Sequence, residues 1–253
     1  MDKSKKLSKS KNIKHAFFNR LGGKSRGVYK SLNCGLGSFD VKKNVIANLN
    51  IALKSIGCKS KNIVLLNQIH SDKFFYIDKK YKYNKKKFKG DALITDKKKL
   101  PIAVLTADCA PILIHDQNTK MIAAIHAGWR GAYKGIINNV IKFMIKKGCS
   151  PKNMTAVVGP CISIKNYEVK KDFFKKFFKK DKKNGIFFKK TKNKIYFSLN
   201  KYIYFQLKYL NIKNIEIIKK DTFDIKNNFF SARRSIQSKY NDYGRNISII
   251  MIN

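Results

Sequence analysis

Apolar residues recur at helical spacing in two long segments of the chain, 42–56 and 132–147. In the first segment, one face carries six apolar residues: Val45, Ile46, Leu49, Ala52, Leu53 and Ile56. In the second, an apolar stripe runs to Gly148, a residue type that commonly ends a helix. The pattern predicts amphipathic helices over both segments, and shorter helices at 169–179 and 199–210.

Short, continuous apolar runs predict buried β-strands in the same chain. They lie at 63–66, 102–105, 121–125, 155–158, 195–197, 215–218 and 247–250. Helices and strands follow one another without an internal repeat or a flexible linker. The sequence therefore predicts an α+β fold, a single compact catalytic domain spanning 15–253 in which mixed β-sheets are flanked by helices.

The composition is compatible with one such domain. A chain of 253 residues with 43% hydrophobic residues can bury a substantial core. Residues 1–14 are basic and no apolar stretch follows them, so we expect a disordered basic tail there and not a secretory signal. The polar stretch 79–89 is expected to be an exposed loop. No apolar run approaches the roughly 20 residues that a membrane-spanning helix needs, so we expect no membrane partner.

The formal net charge of +41 raises the question of nucleic-acid binding. Only six of the 56 basic residues are arginine, the residue best suited to bidentate recognition of bases and phosphates. The lysines are spread almost from end to end and accompany other residues with AT-rich codons. We interpret them as a solvated coat that reflects genome composition. No specific nucleic-acid partner is expected, only weak and salt-sensitive binding to polyanions.

The five cysteines form an odd set without paired short spacings. The sequence contains no C-x-x-C motif, so it indicates neither a zinc knuckle nor a disulfide framework. This usage fits a reducing compartment, and we expect a cytoplasmic protein that acts as a monomer.

Three soft or borderline metal ligands follow predicted strands: His70, Cys109 and His126. Three such ligands leave the fourth position of a zinc site open for water or substrate, as in catalytic zinc sites. Their separations of 39 and 17 residues match no local ligand motif. From the residues alone, a structural cysteine with two core histidines accounts for the pattern equally well. A metal-independent cysteine hydrolase that pairs Cys109 with His126 or His70 is a further alternative.

Several sequence blocks resemble the polyphenol oxidase/laccase-domain family. They are GDALIT at 90–95, LTADCAP at 105–111, HAGWRG at 126–131, HAFFNRLGG at 15–23, VGP at 158–160 and FFSARR at 229–234. The resemblance thus covers nearly the whole chain. Members of that family are regarded as zinc-containing purine nucleoside phosphorylases with adenosine deaminase activity. The resemblance implies adenosine, inosine or methylthioadenosine and phosphate as substrates. It also implies that zinc, in preference to copper, is bound by His70, Cys109 and His126.

Other polar residues are candidates for the same site. The expected catalytic residues are Cys109, His126 and Asp108, the last by orienting a ligand or moving a proton. The expected substrate-binding residues are Arg20, Asn33, Gln68, Arg130 and Arg233. Structural alternatives exist for them, because Arg130 could pair with Asp108 or Asp91 and Asn33 could stabilise a turn.

The chain departs from the family pattern at Asp221, where a cysteine is usual, and at Ala232, where an aromatic residue is common. Neither departure affects the three ligands. A copper-dependent polyphenol oxidase, the older label of the family, is disfavoured because four histidines are too few for several copper sites. A non-enzymatic nucleic-acid-binding protein would explain the charge but leaves the TADC and HAGWRG blocks without a role.

Overall fold

The fold was established from a computed structural model that describes residues 1–60, 62–84 and 88–253. Residues 85–87 of the predicted loop at 79–89 lie outside the described residues, and most of the described part of that loop is exposed. None of the helices in these ranges is long and apolar enough to cross a membrane.

The strands and helices of the described ranges have the following bounds. The strands are β1 Ile13–Phe17, β2 Phe74–Ile77, β3 Ala92–Thr95, β4 Ile102–Thr106, β5 Ala110–Asp116, β6 Ile122–Ala127, β7 Met154–Val158, β8 Glu168–Val169, β9 Phe188–Lys190, β10 Ile195–Phe197, β11 Asn214–Ile217 and β12 Asn246–Ile252. The helices are α1 Lys42–Ser55, α2 Trp129–Lys134, α3 Ile136–Lys146, α4 Lys171–Lys180, α5 Leu199–Tyr209 and α6 Ala232–Gln237.

Two sheets form the centre of the molecule. The larger has six strands in the order β11-β7-β5-β6-β3-β2, and the smaller has three in the order β1-β12-β4. The large sheet is mixed, because β11–β7 and β2–β3 are parallel pairs while the other pairs are antiparallel. A third, peripheral sheet has the order β8-β10-β9. The prediction of a single α+β domain with mixed sheets flanked by helices is confirmed.

Alternating residues of the strands divide the core into layers, since successive side chains in a strand point to opposite faces. In β6, Ile122 and Ala124 pack in the cluster between the two central sheets, whereas Ala123 and Ile125 pack beneath α3 and α5. On the outer face of the small sheet, α1 covers a third cluster. The order of layers is therefore helix, small sheet, large sheet and helices.

Two predicted elements differ from the observed ones. The helix predicted at 132–147 is two helices, α2 and α3, because Gly135 between them has a left-handed backbone with φ of 105°. The strand predicted at 63–66 is an isolated bridge, in which Val64 pairs with Ile102 of β4. The segment follows the edge of the small sheet for one pairing only, which is too short for a regular strand.

The expectation of a disordered tail at 1–14 is contradicted by the packing of this segment. We call residues 2–10 the N-terminal clasp, because they connect β1 to β11. Asp2 pairs with Phe17, and the Leu7 side chain is 1% exposed. The Ser4 amide donates to Nε2 of His15 in β1 over 2.9 Å, and its hydroxyl donates to Glu216 of β11 over 2.7 Å. One apolar and one polar anchor thus fix a segment whose lysines alone indicated disorder.

Candidate metal centre

Three segments from different parts of the fold bring His70, Cys109 and His126 together. His126 belongs to β6, Cys109 lies in the short connection between β4 and β5, and His70 lies in a turn before β2. Their potential ligand atoms all lie within 4.8 Å of one another, and Sγ of Cys109 is 3.7 Å from Nε2 of His70. Among the described residues this is the one group of three or more such side chains with the geometry to hold a metal ion.

The buried carboxylate of Asp91 fixes two of these ligands. Its Oδ1 lies 2.8 Å from Nδ1 of His126, which leaves Nε2 of that ring for the cluster. The same carboxylate accepts the backbone N–H of His70 over 3.0 Å and that of Ser71 over 2.6 Å. His70 adopts a left-handed backbone with φ of 56°, a conformation that costs energy for a residue with a side chain. These hydrogen bonds hold the turn in that conformation.

Gly128 leaves the space into which the ligands converge. A Cβ atom at this position would lie 2.8 Å from Sγ of Cys109 and 2.9 Å from Cδ2 of His70. Both contacts are closer than real Cβ atoms allow, so a larger residue would displace the ligands. The glycine of the HAGWRG block is therefore required by the cluster itself.

Cys109 and His126 stabilise each other in their charged forms. Burial alone raises the pKa of Cys109, but the neighbouring His126 and His70 together outweigh it and bring the pKa down to about 6. Burial alone lowers the pKa of His126, but Cys109 and Asp91 raise it to about 9. Burial also raises the pKa of Asp91, and hydrogen bonds from His126 and Ser71 bring it down to about 2. The site therefore favours a thiolate, which is the form of cysteine that binds metals and acts as a nucleophile.

The cluster opens into a cavity of about 540 Å³. The described lining residues include apolar side chains, both cluster histidines and Cys109, and no carboxylate. They are Gly35, Leu36, Gly37, Leu66, Asn67, Gln68, His70, Lys89, Leu105, Thr106, Ala107, Cys109, His126, Tyr243 and Arg245. A ligand of moderate size can reach the three donor atoms from this side.

Gln68, a predicted substrate-binding residue, lines the cavity and also braces it. Its side-chain amide donates to the carbonyl of Leu105 over 2.7 Å and accepts from the Leu105 N–H over 2.8 Å. Both amide groups are thus engaged with the edge of β4. Gln68 fixes the approach to His70, two residues further on.

Asp108, predicted to be catalytic, directs its carboxylate to another corner of the fold. It accepts hydrogen bonds from Thr222 over 2.7 Å, from Ser231 over 3.0 Å and from the backbone N–H of Arg233 over 2.7 Å. Burial raises its pKa, although these donors act in the opposite direction. The contacts tie the Cys109 connection to the start of α6, so Asp108 supports the ligand loop from behind.

The other predicted substrate-binding residues lie outside the cavity that contains the cluster. The buried amide of Asn33 is engaged by Ser38, Asp40, Gly35 and Arg245. Arg20 lines a separate cavity together with Arg234.

Arg130 and Arg233 are also engaged elsewhere. Arg130 is exposed on α2 over the ring of Trp129, and among the described residues it forms no ion pair with Asp91 or Asp108. Arg233 donates to the carbonyl of Glu168 over 3.0 Å, at a basic surface cavity.

Two residues of the site were missed by sequence reasoning, Asp91 and Arg245. Asp91 stands in the GDALIT block, so the resemblance did mark its neighbourhood. The pair Gly244-Arg245 also resembles the family, but no role was predicted for Arg245 from the sequence. The remaining histidines, His15 and His115, are buried in β1 and β5 and do not join the cluster. The departure at Asp221 also lies apart, because its carboxylate accepts from Ser163 and Asn166 at a different cavity.

Comparison with known proteins places the chain in a family. Residues 14–253 match the family described as multi-copper polyphenol oxidoreductase laccase. The chain belongs to this family. The match begins one residue before the HAFFNRLGG block and extends to the C-terminal residue, so all three members of the cluster fall within it.

Relatives of this laccase family are similar over most of their length. A Rickettsia prowazekii protein named purine nucleoside phosphorylase is 31% identical over 236 residues, covering 92% of this chain and 94% of the relative. A Rickettsia conorii protein with the same designation is 36% identical over 187 residues, covering 72% and 76%.

Solved structures are similar to this fold over nearly the whole chain. A Neisseria meningitidis protein of the DUF152 family has a TM-score of 0.84 and 31% identity, covering 96% of both chains. A hypothetical Bacillus licheniformis protein has a TM-score of 0.86 and 25% identity, covering 95% of this chain and 93% of that one.

Proposed function

We propose that the protein is a purine nucleoside phosphorylase with adenosine deaminase activity, acting at a single zinc ion on His70, Cys109 and His126. The observation that carries the proposal is the convergence of these three ligands at one open cavity. Support comes from the relatives named purine nucleoside phosphorylase, one of which is similar over 94% of its length. Adenosine, inosine and methylthioadenosine are the proposed nucleoside substrates, with phosphate as the co-substrate.

The donor set suits zinc. With zinc–sulfur bonds of about 2.3 Å and zinc–nitrogen bonds of about 2.0–2.1 Å, neighbouring ligands of a tetrahedral ion stand roughly 3.3–3.8 Å apart. The distance of 3.7 Å between Sγ of Cys109 and Nε2 of His70 falls in this range. When bound, zinc supplies Lewis-acid activation of water or of a substrate atom. Asp91 occupies Nδ1 of His126 and would leave Nε2 to bind zinc, as carboxylates commonly do for zinc-binding histidines.

The two proposed reactions place different demands on the protein. In phosphorolysis, a phosphate oxygen bonds to C1′ of the ribose while the C1′–N9 bond breaks and its electron pair leaves with the base. In deamination, water adds to C6 of adenosine and ammonia leaves. Both need a nucleoside held in the cavity, where Leu36, Leu66 and Leu105 offer an apolar wall for it.

A metal-independent cysteine hydrolase is the second candidate, and one observation favours it. The chain of contacts from Asp91 through His126 to Cys109 has the order of an orienting acid, a base and a nucleophile. Such a triad gives no role to His70, however, which lies 3.7 Å from the same sulfur. We therefore prefer the metal site.

Elemental analysis combined with turnover assays tests the proposal. The purified protein should contain about one zinc per chain. Adenosine should give adenine and ribose 1-phosphate when phosphate is present, and inosine when phosphate is omitted. Removal of zinc with a chelator should abolish both activities. Full activity in a metal-free protein would favour the cysteine hydrolase.

The proposal treats the protein as a cytoplasmic monomer without a specific nucleic-acid partner. The cluster uses residues of one chain only, and all five cysteines are free. Binding to duplex DNA should be weak, indifferent to sequence and strongly reduced by salt. Sequence-selective, nanomolar binding at physiological ionic strength would contradict this part of the proposal.

A further inference from the structure

We propose that Arg245 binds the phosphate co-substrate in the cavity that contains His70, Cys109 and His126. This inference rests on the proposed phosphorylase function and names the residue that it requires. The arginines predicted from the sequence, Arg20, Arg130 and Arg233, do not line that cavity. Arg245 is the arginine among its described lining residues.

The charge of the cavity suits an anion. Its described lining residues contain no aspartate or glutamate, and they contain two cations, Lys89 and Arg245. An anionic co-substrate would therefore meet attraction from these cations without a lining carboxylate to repel it. Lys89 is exposed, whereas the Arg245 side chain is only 24% exposed. A partly buried cation binds an anion more strongly than an exposed one, because solvent screens it less.

The guanidinium of Arg245 is held in place and still has donors to offer. Its Nη1 donates to Oδ1 of Asp242 over 3.1 Å and to the carbonyl of Tyr243 over 2.5 Å. The group also lies over the Tyr243 ring, 4.5 Å from its centre. Among the described residues, Nε and Nη2 have no hydrogen-bond partner. A fixed guanidinium with two free nitrogens matches the two-point geometry with which arginine binds phosphate.

Asp242 positions the guanidinium of Arg245 but engages only one of its nitrogens. Its carboxylate also accepts from the Tyr29 hydroxyl and from the Phe39 N–H, each over 2.8 Å. Asp242 does not line the cavity. Asp242 and Arg245 form an ion pair, but the pair uses Nη1 only, so Nε and Nη2 remain available to an anion in the cavity.

The backbone at Gly35 passes so close to the Arg245 side chain that only glycine fits there. Gly35 lies against Arg245, and a Cβ atom at Gly35 would stand 2.4 Å from Cδ of the arginine. A side chain there would push Arg245 aside. Arg245 also directly precedes β12, whose Asn246 pairs with Thr106 at the end of β4. Three residues beyond Thr106 is Cys109, so the strand pairing places Arg245 beside the connection that carries a metal ligand.

The experiment compares zinc-loaded wild type, Arg245→Ala, Arg245→Lys and Gly35→Ala. The exposed Arg26→Ala is the matched control, since it removes the same charge outside the cavity. The readouts are the KM for phosphate, the KM for inosine, and the increase in melting temperature caused by inorganic phosphate alone. Zinc content and circular dichroism check that each variant is folded and loaded.

We expect the KM for phosphate to rise about 10–100-fold in Arg245→Ala, the effect of losing a charged hydrogen bond. The KM for inosine should stay within about threefold. Arg245→Lys should have an intermediate KM for phosphate, because lysine keeps the positive charge but lacks the paired donors of the guanidinium. Gly35→Ala should raise the KM for phosphate although every charge is kept. The control should match wild type.

The outcomes separate this inference from the proposed function. If wild type catalyses phosphorolysis and Arg245→Ala keeps the wild-type KM for phosphate, the inference is overturned and the function stands. If wild type shows no phosphorolysis, the proposed function fails. The phosphate-induced rise in melting temperature then tests Arg245. If wild type shows the rise and Arg245→Ala loses it, Arg245 belongs to an anion site. If Arg245→Ala keeps the rise, or wild type never shows it, the inference is overturned.

Discussion

Two buried histidines, His126 in the ligand cluster and His15 under the N-terminal clasp, have pKa values that are shifted in opposite directions. His126 faces the carboxylate of Asp91 and the sulfur of Cys109, which together overcome the effect of burial and raise its pKa to about 9. Burial, followed by the charge of Lys3, lowers the pKa of His15 to about 4 although Glu216 is nearby, and its Nε2 accepts a hydrogen bond from the Ser4 N–H. Both stand in β-strands. The comparison shows that the partners of a histidine, and not its place in a strand, decide whether it serves chemistry or packing.

The largest effect is expected at Cys109. In Cys109→Ser, an alcohol replaces a thiolate as ligand, so zinc content and activity should be lost together. The loss should exceed the roughly 100-fold effect that is typical when a residue hydrogen-bonded to a metal ligand is replaced. Metal analysis and adenosine turnover measure this. Cys58→Ser, which alters a buried cysteine away from the cluster, should keep its zinc. A Cys109→Ser protein with full zinc and full turnover would remove Cys109 from the site.

Asp91→Asn should have the next largest effect. The amide can present a donor where His126 needs an acceptor, so the ring loses its preferred orientation, and zinc affinity should fall about 10–100-fold. Competition with a chelator measures the affinity. Asp116→Asn is the matched control, because this buried carboxylate accepts from Thr119 and Ser150 at the far end of β5. Equal loss of zinc affinity in both variants would show a general effect of instability.

The clasp around His15 should contribute to stability and not to the site. Leu7→Ala removes a buried side chain at the edge of the core and should lower the free energy of unfolding by about 2 kcal/mol. Chemical denaturation measures this, with the exposed Lys9→Ala as control. Zinc content should be unchanged. If residues 1–14 were a disordered tail, the two variants would have the same stability.

The smallest effect is a pH dependence from His15. Its pKa in the folded state is lowered, so the unfolded chain binds the proton first, and stability falls as pH decreases from about 6.5 towards 4. Between pH 6.5 and 5.5 the loss should be about 1 kcal/mol. His15→Gln should reduce this slope in denaturation measured at several pH values. The slope that remains combines His115, whose pKa burial also lowers, with the shifted pKa values of Cys109 and His126. An unchanged slope would contradict the assignment to His15.

Much of the secondary structure followed from local patterns. The apolar stripe at 42–56 and the runs at 102–105 and 155–158 are read correctly, because each element packs one face or both faces against the core. Local patterns failed where one residue or one distant contact decided the outcome. A left-handed Gly135 divides a helix whose apolar stripe is otherwise continuous. Ser4 anchors the clasp through residues 11 and 212 positions away.

The candidate site shows the same division. The resemblance marked the three ligands, and the structure brings them together. Spacing could not reveal that Asp91, and not Asp108, faces His126, because the contact spans 35 residues and joins the residue before β3 to β6. Adjacency to Cys109 suggested Asp108, but the backbone at Asp108 has φ of 84° and its carboxylate bonds Thr222 and Ser231. The arginine of the cavity, Arg245, is likewise placed by the pairing of β12 with β4.

The connection between β4 and β5 has a mechanical consequence. β4 belongs to the small sheet and β5 to the large one, so the three residues between them carry the chain from one sheet to the other. Cys109 is the last of these three, and His126 lies in the large sheet. An ion bound to both residues would act as a cross-link at the place where the chain passes between the two sheets. Sliding of one sheet over the other would then strain the ligands first. Loss of the ion would weaken the contact between the sheets at the same place.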